Sequence, residues 1–120
     1  LKWEDKEKNR RHLFDLANSS AKKSDLIILP EMFNTGFSMN TALAESMDGE
    51  SIVFLKQKSS EYQSLIITSL TIKENNSVYN RLVAVFPDGN IQYYDKRHLF
   101  SLAGEERYYN RGNKHLIINY

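Results

Sequence analysis

Three charged residues carry the chemistry that this sequence could perform: Glu31, Lys96 and Glu105. Glu31 stands in Leu29-Pro30-Glu31-Met32-Phe33, directly after the apolar run Asp25-Leu26-Ile27-Ile28-Leu29. In α/β sheets, ligands bind beyond the carboxyl ends of strands. A carboxylate placed there, beside Met32, Phe33 and Phe37, is expected to be partly desolvated, which would raise its pKa and make it a better general base. Taken singly, Glu31 is more simply a surface or capping acid at the start of a loop, because one charged residue is weak evidence of function. Lys96 also follows a predicted strand and is flanked by aromatics, in Tyr93-Tyr94-Asp95-Lys96-Arg97-His98-Leu99-Phe100. An ammonium held beside a carboxylate can stabilise a developing oxyanion; the plainer alternative is a solvated charge cluster. Glu105, in Gly104-Glu105-Glu106-Arg107-Tyr108-Tyr109, is by itself an ordinary loop acid.

Other chemistries find little support. The 120 residues contain no cysteine, so no disulfide, zinc-thiolate site or thiol nucleophile can come from them. His12, His98 and His115 lack metal-ligand spacing, the five glycines are scattered, and no serine sits in a nucleophile elbow. No metal or cofactor is therefore expected. His98 could help shape a pocket beside Lys96, although a structural histidine is the plainer reading, and His12 reads as solvated on a helix. Sixteen Lys and Arg against fifteen Asp and Glu leave a net charge of +1, without the basic stripe of a nucleic-acid binder. No apolar run approaches the length of a membrane span and no signal-peptide core opens the chain, so the expected location is cytoplasmic.

The elements that must position these residues follow from periodicity. Hydrophobic residues make up 41% and charged residues 26%, the balance of one globular domain across residues 1–120. Lys2 to Ala21 is predicted as an amphipathic helix, with Leu13, Phe14, Leu16, Ala17 and Ala21 at helical spacing and charge, including Lys6 and Lys8, on the other face. Asp25 to Leu29 reads as a strand buried on both faces. Glu31 to Asn40 is a loop, Ser51 to Tyr62 a second helix, and 64–73, 78–86 and 91–94 are strands joined by the turn clusters Glu74-Asn75-Asn76-Ser77 and Pro87-Asp88-Gly89-Asn90. Asp95 to Asn113 is irregular, and His115 to Tyr120 is expected as a last strand. The order predicts a mixed α/β sheet with helices on one face, and such a sheet needs a further layer on its other face.

Together these blocks resemble one family, the nitrilase superfamily of carbon–nitrogen hydrolases. Residues 25–37, from Asp25-Leu26-Ile27 through Pro30-Glu31-Met32-Phe33 to Gly36-Phe37, are similar to its segment around a catalytic Glu. Tyr79-Asn80-Arg81, Pro87-Asp88-Gly89 and Tyr94-Asp95-Lys96-Arg97-His98-Leu99-Phe100 resemble the run into its catalytic Lys. Glu105-Glu106-Arg107-Tyr108-Tyr109-Asn110-Arg111-Gly112 resembles the segment with its second Glu, in a register that favours Glu105 over Glu106. The wording Pro-Glu-Met-Phe, Gly-Phe-Ser-Met and Lys-Arg-His-Leu-Phe is nearest the omega-amidase-like branch. The resemblance implies a four-layer α-β-β-α sandwich and acyl transfer through a cysteine thioester. It makes Glu31 the general base, Lys96 the stabiliser of the tetrahedral intermediate, and Glu105 a residue that orients Lys96 or assists proton transfer. It also implies a small-molecule amide substrate and at least a homodimer. The family's cysteine lies beyond Tyr120, so the chain is expected to be the N-terminal part of a longer enzyme, without the first strand and the C-terminal half, and inactive alone. Another amidase or nitrilase of the superfamily, or a non-catalytic association module, is the alternative reading.

Overall fold

The computed structural model describes residues 1–18 and 24–120. Among them are two α-helices, α1 (Lys6–Ala17) and α2 (Glu50–Tyr62), and four strands, β1 (Leu26–Ile28), β2 (Leu65–Glu74), β3 (Ser77–Val85) and β4 (Ile91–Asp95). The strands form one sheet in the order β1-β2-β3-β4. β1 runs parallel to β2, and the other pairs are antiparallel hairpins. The turn joining β2 to β3 places Asn75 and Asn76 at positive φ, a conformation that asparagine tolerates better than most residues.

Both helices cover the same face. Phe14 of α1 and Ile52, Leu55 and Tyr62 of α2 pack on Ile27, Ile66, Leu70, Ile72, Val83 and Val85 of the sheet. The mixed α/β fold with helices on one face thus agrees with the periodicity. α1 is shorter than predicted, because Asp5 caps it by accepting from the Lys8 N–H at 3.0 Å. Residues 2–4 instead fold back, with buried Asn9 bonded to both backbone groups of Lys2 and to the Asn34 carbonyl. The predicted helical extension to Ala21 falls outside the described residues. Lys6 is not solvated as expected: it is half-buried and reaches Glu45 at 3.4 Å. Glu45 also accepts from the Ser51 N–H and hydroxyl, which supplies the cap that Gly49 cannot make for α2. A Cβ on Gly49 would lie 2.8 Å from the Glu45 Cβ, so this approach requires glycine.

Two expectations are corrected. β1 is not buried on both faces: Ile27 faces the helices, while Leu26 and Ile28 are exposed, Ile28 by 70%. The continuous apolar run reflects a second face that nothing among the described residues covers fully. His115 to Tyr120 is not a strand. It pairs with neither edge of the sheet; Leu116 and Ile118 instead lie near Ile67, Leu82 and Tyr94 on the open face, and the Tyr120 hydroxyl donates to the Asp25 carbonyl.

An open apolar sheet face drives association. Sedimentation velocity of the 120-residue chain is expected to show concentration-dependent self-association that Ile28→Lys weakens. A monomer at every concentration would contradict this.

Candidate active site

β1, β2 and β4 run in one direction, so their carboxyl ends lie at the same end of the sheet. Glu31 follows β1 there, and Lys96 is the first residue after β4. Although 65 residues separate them, Lys96 Nζ lies 2.9 Å from Glu31 Oε1. The same ammonium lies 3.0 Å from Glu105 Oε2. All three predicted charged residues therefore meet at one point. Glu106 is exposed, so the register that selects Glu105 agrees with the geometry.

A fourth residue completes the cluster. Asn80 of β3 donates to Glu31 Oε1 at 2.6 Å and to Glu105 Oε1 at 3.0 Å. Its own carbonyl accepts from the Lys96 N–H at 3.0 Å. Residues directly opposite on antiparallel strands project to the same face, so Asn80 and Lys96 point together into the open side. Sequence reasoning quoted Asn80 only as part of a resemblance. A polar residue on the face of β3 that otherwise carries Val78, Leu82 and Ala84 was the signal that could have found it.

The loops carrying the two carboxylates share a small core of Met32, Leu99 and Tyr109. Tyr109 donates to the Ser38 carbonyl at 2.7 Å, tying the Glu105 segment to the Glu31 loop. Met32 is fully buried at φ 48, a conformation costing a non-glycine residue about 1 kcal/mol. Its N–H bonds to Ser69 Oγ at 2.9 Å, and its carbonyl accepts from Gly36 N–H at 2.8 Å, so the turn that aims Glu31 is held on both sides.

The electrostatics differ between the two acids. Glu105 is 0% exposed. Burial pushes its carboxyl up, but the Phe100 N–H at 2.6 Å, Asn80 and Lys96 outweigh this and hold it below the ordinary glutamate value. Burial likewise pulls the Lys96 ammonium down, while Glu31 and Glu105 hold it above the ordinary lysine value. The desolvation expected of Glu31 belongs to Glu105 instead: the Glu31 side chain is 48% exposed, because the open sheet face adjoins it. Its Oε2 has no protein partner among the described residues, which leaves that oxygen available to an incoming group. Glu31, Asn80 and Lys96 line a cavity of about 250 Å³ with Ile28, Ile67, Leu82 and Tyr94 as its apolar wall. Phe37 is half-buried, with its ring centroid 5.1 Å from Lys96 Nζ. His98 is exposed and is not part of that wall. Among the described residues no group of His, Asp and Glu is arranged to hold a metal ion.

A helix-covered mixed sheet with a lysine fixed between two glutamates at its strand ends defines an α/β protein whose site is suited to stabilising negative charge. The chain belongs to the carbon–nitrogen hydrolase family, whose family model matches residues 1–118. It is 40% identical over 120 residues to an omega-amidase, YafV, of Yersinia enterocolitica, and 34% identical to the omega-amidase YafV of Escherichia coli K12. Both matches cover 100% of this chain and 46% of the relative, so the chain spans about half their length. A crystal structure of a superfamily member from Xanthomonas campestris superposes with a TM-score of 0.94 at 37% identity, covering 98% of this chain and 45% of that one. The carbon–nitrogen hydrolase of Helicobacter pylori G27 gives a TM-score of 0.81 at 25% identity, covering 91% of this chain and 41% of that one. The architecture is that of the nitrilase superfamily, and this chain supplies one helix layer and one sheet of it.

The lowered Glu105 carboxyl fixes a sign. A depressed folded-state pKa contributes stability above the ordinary glutamate value, and that contribution is lost as pH falls through the depressed value. The melting-temperature difference between the full-length protein and its Glu105→Gln variant is therefore expected to be largest near neutrality and to shrink below about pH 4. A difference constant with pH would contradict it.

Proposed function

We propose that the full-length protein hydrolyses the terminal amide of a 2-oxo dicarboxylic acid monoamide to the acid and ammonia, with a cysteine outside these 120 residues as nucleophile. The observation that carries this reading is the Lys96 ammonium held 2.9 and 3.0 Å from two carboxylates beside an apolar-walled cavity. The omega-amidase relatives support the substrate class.

In the proposed mechanism Glu31 takes the thiol proton as the sulfur attacks the amide carbon, since only the thiolate is a strong nucleophile. Charge builds on the carbonyl oxygen, and Lys96 stabilises it as a fixed cation. The C–N bond then breaks, Glu31 returns its proton to the departing nitrogen, and ammonia leaves a thioester. Water attacks the thioester with Glu31 again as base, releasing the acid and the thiol. Glu105 orients Lys96 through their ion pair, and Asn80 orients both carboxylates by donating its amide to Glu31 and to Glu105. Phe37 is assigned to the substrate side of the site on the strength of its ring against Lys96. The same reading makes residues 1–120 the N-terminal part of one hydrolase domain that works as a cytoplasmic homodimer, without cofactor, metal, membrane or nucleic-acid partner. A nitrilase of Pyrococcus abyssi, 31% identical over 91 residues, favours a nitrile as the second substrate to assay.

The test is ammonia release from the ω-monoamide by the full-length enzyme. Lys96→Ala should lower kcat by about a hundredfold or more with little change in KM, as expected when an interaction is made chiefly in the transition state. Lys96→Arg should not rescue, since a planar guanidinium cannot take the place of a compact ammonium between two carboxylates. Glu31→Gln should stall thioester formation. Near-normal turnover in both Lys96→Ala and Glu31→Gln would overturn the assignment in favour of a non-catalytic module.

A further inference from the structure

The back of the sheet, opposite Lys96, holds a charged group that the mechanism above does not use. Arg81 is 1% exposed, yet it is the largest fully buried side chain among the described residues. Its guanidinium grips Asp95 with two parallel bonds, Nε to Oδ1 at 2.6 Å and Nη2 to Oδ2 at 2.9 Å. Nη2 also donates to Glu74 Oε2 at 2.8 Å, and the Tyr93 ring lies 4.1 Å from the guanidinium carbon. This fork joins β2, β3 and β4 across their helix-facing side.

Its place in the ladder gives it meaning. Arg81 and Asp95 are direct cross-strand partners, and Asp95 is the last residue of β4. Asn80 and Lys96 form the next rung, on the opposite face. Neighbouring residues of a strand alternate faces, so a slip of one residue would turn Lys96 away from both carboxylates. β4 is short and, among the described residues, pairs in the sheet only with β3, and strand ends open most easily. A second contact braces the same rung: Gly112 N–H donates to the Lys96 carbonyl at 3.1 Å, in a passage so close that a Cβ there would lie 2.1 Å from the Asp95 carbonyl oxygen.

We propose that the Arg81–Asp95 fork is a positioning device for Lys96, holding the last rung of β4 in the register that turns the ammonium toward Glu31 and Glu105. This rests on the reading of Lys96 as the oxyanion-stabilising cation. Arg81 touches no reacting atom; it acts through Asp95 and the backbone. The planar bidentate geometry suits this task because it fixes direction as well as distance. An apolar pair of similar size could fill the same space but would allow the strand end to turn.

The experiment uses the full-length enzyme with an ω-monoamide substrate. Arg81→Met should lower kcat by about tenfold or more while KM stays within about twofold. Arg81→Lys, which keeps the charge but loses the fork, should not restore it. Arg81→Met with Asp95→Leu replaces both partners by apolar groups, a change that commonly preserves folding; its melting temperature should recover while kcat stays low. Acetylation followed by peptide mass spectrometry should show Lys96 reacting faster in all three variants than in the unaltered enzyme, with Lys58 of α2, paired to Glu61 at 2.9 Å away from the fork, unchanged. Recovery of full kcat together with stability in the double variant, or unchanged Lys96 reactivity, would overturn the proposal. Lys96→Ala serves as the control. If it retains turnover, the reading of the site has failed, and acetylation alone still decides whether the fork positions the lysine.

Discussion

A lysine ammonium shared between two carboxylates is the interaction on which the rest of this structure converges. Left alone, each of the three charges would prefer water, and moving any one of them out of water without its partners is costly. Together they satisfy one another: Lys96 bonds to Glu31 and Glu105, and Asn80 bridges the two acids from below. Glu105 can be fully buried because the Phe100 N–H, Asn80 and Lys96 all meet its oxygens. Glu31 can stay half exposed because only one of its oxygens is used. The arrangement leaves Glu105 enclosed and Glu31 half exposed beside the cavity.

The two faces of the sheet serve different ends. Toward the helices, Phe14, Leu55, Leu70 and Val83 form a packed core, and at its margin Arg81 fastens the strand ends. Toward the open side, Asn80, Lys96, Ile67, Leu82 and Tyr94 present a polar cluster beside an apolar wall. Strict alternation along β3 and β4 couples the faces, so packing on one side sets the aim of the side chains on the other. This coupling is why residues remote from the cavity bear on its geometry.

Much of this was legible in the sequence, for identifiable reasons. The helices, the β2–β3–β4 meander and its two turns follow from periodicity and from Asn-Asn and Asp-Gly chemistry. Glu31 and Lys96 each follow a predicted strand but read singly as surface charges; the resemblance of the combined blocks singled them out, and its register singled out Glu105. Three features were not legible. β1 has an apolar run without a covered second face, since composition does not say which layer is present. His115 to Tyr120 has strand-like residues but joins no edge of the sheet, and pairing is a property of neighbours rather than of the segment. The exchange of burial between Glu31 and Glu105 depends on the fold: Glu105 looks like a loop acid until Tyr109 and Leu99 bring its loop under the Glu31 turn. The Arg81–Asp95 fork was hidden likewise, because the two residues are cross-strand partners only in the folded register.

The central claim is that Lys96 is a fixed cation held by both glutamates. Its most direct test is a pH titration of the Lys96 side-chain nitrogen by NMR in the full-length protein with 15N-labelled lysine, assigned by loss of the signal in Lys96→Arg. The account predicts a titration midpoint above the ordinary lysine value of about 10.4, in line with the raised pKa that the two carboxylates impose. A midpoint at or below that ordinary value would contradict it.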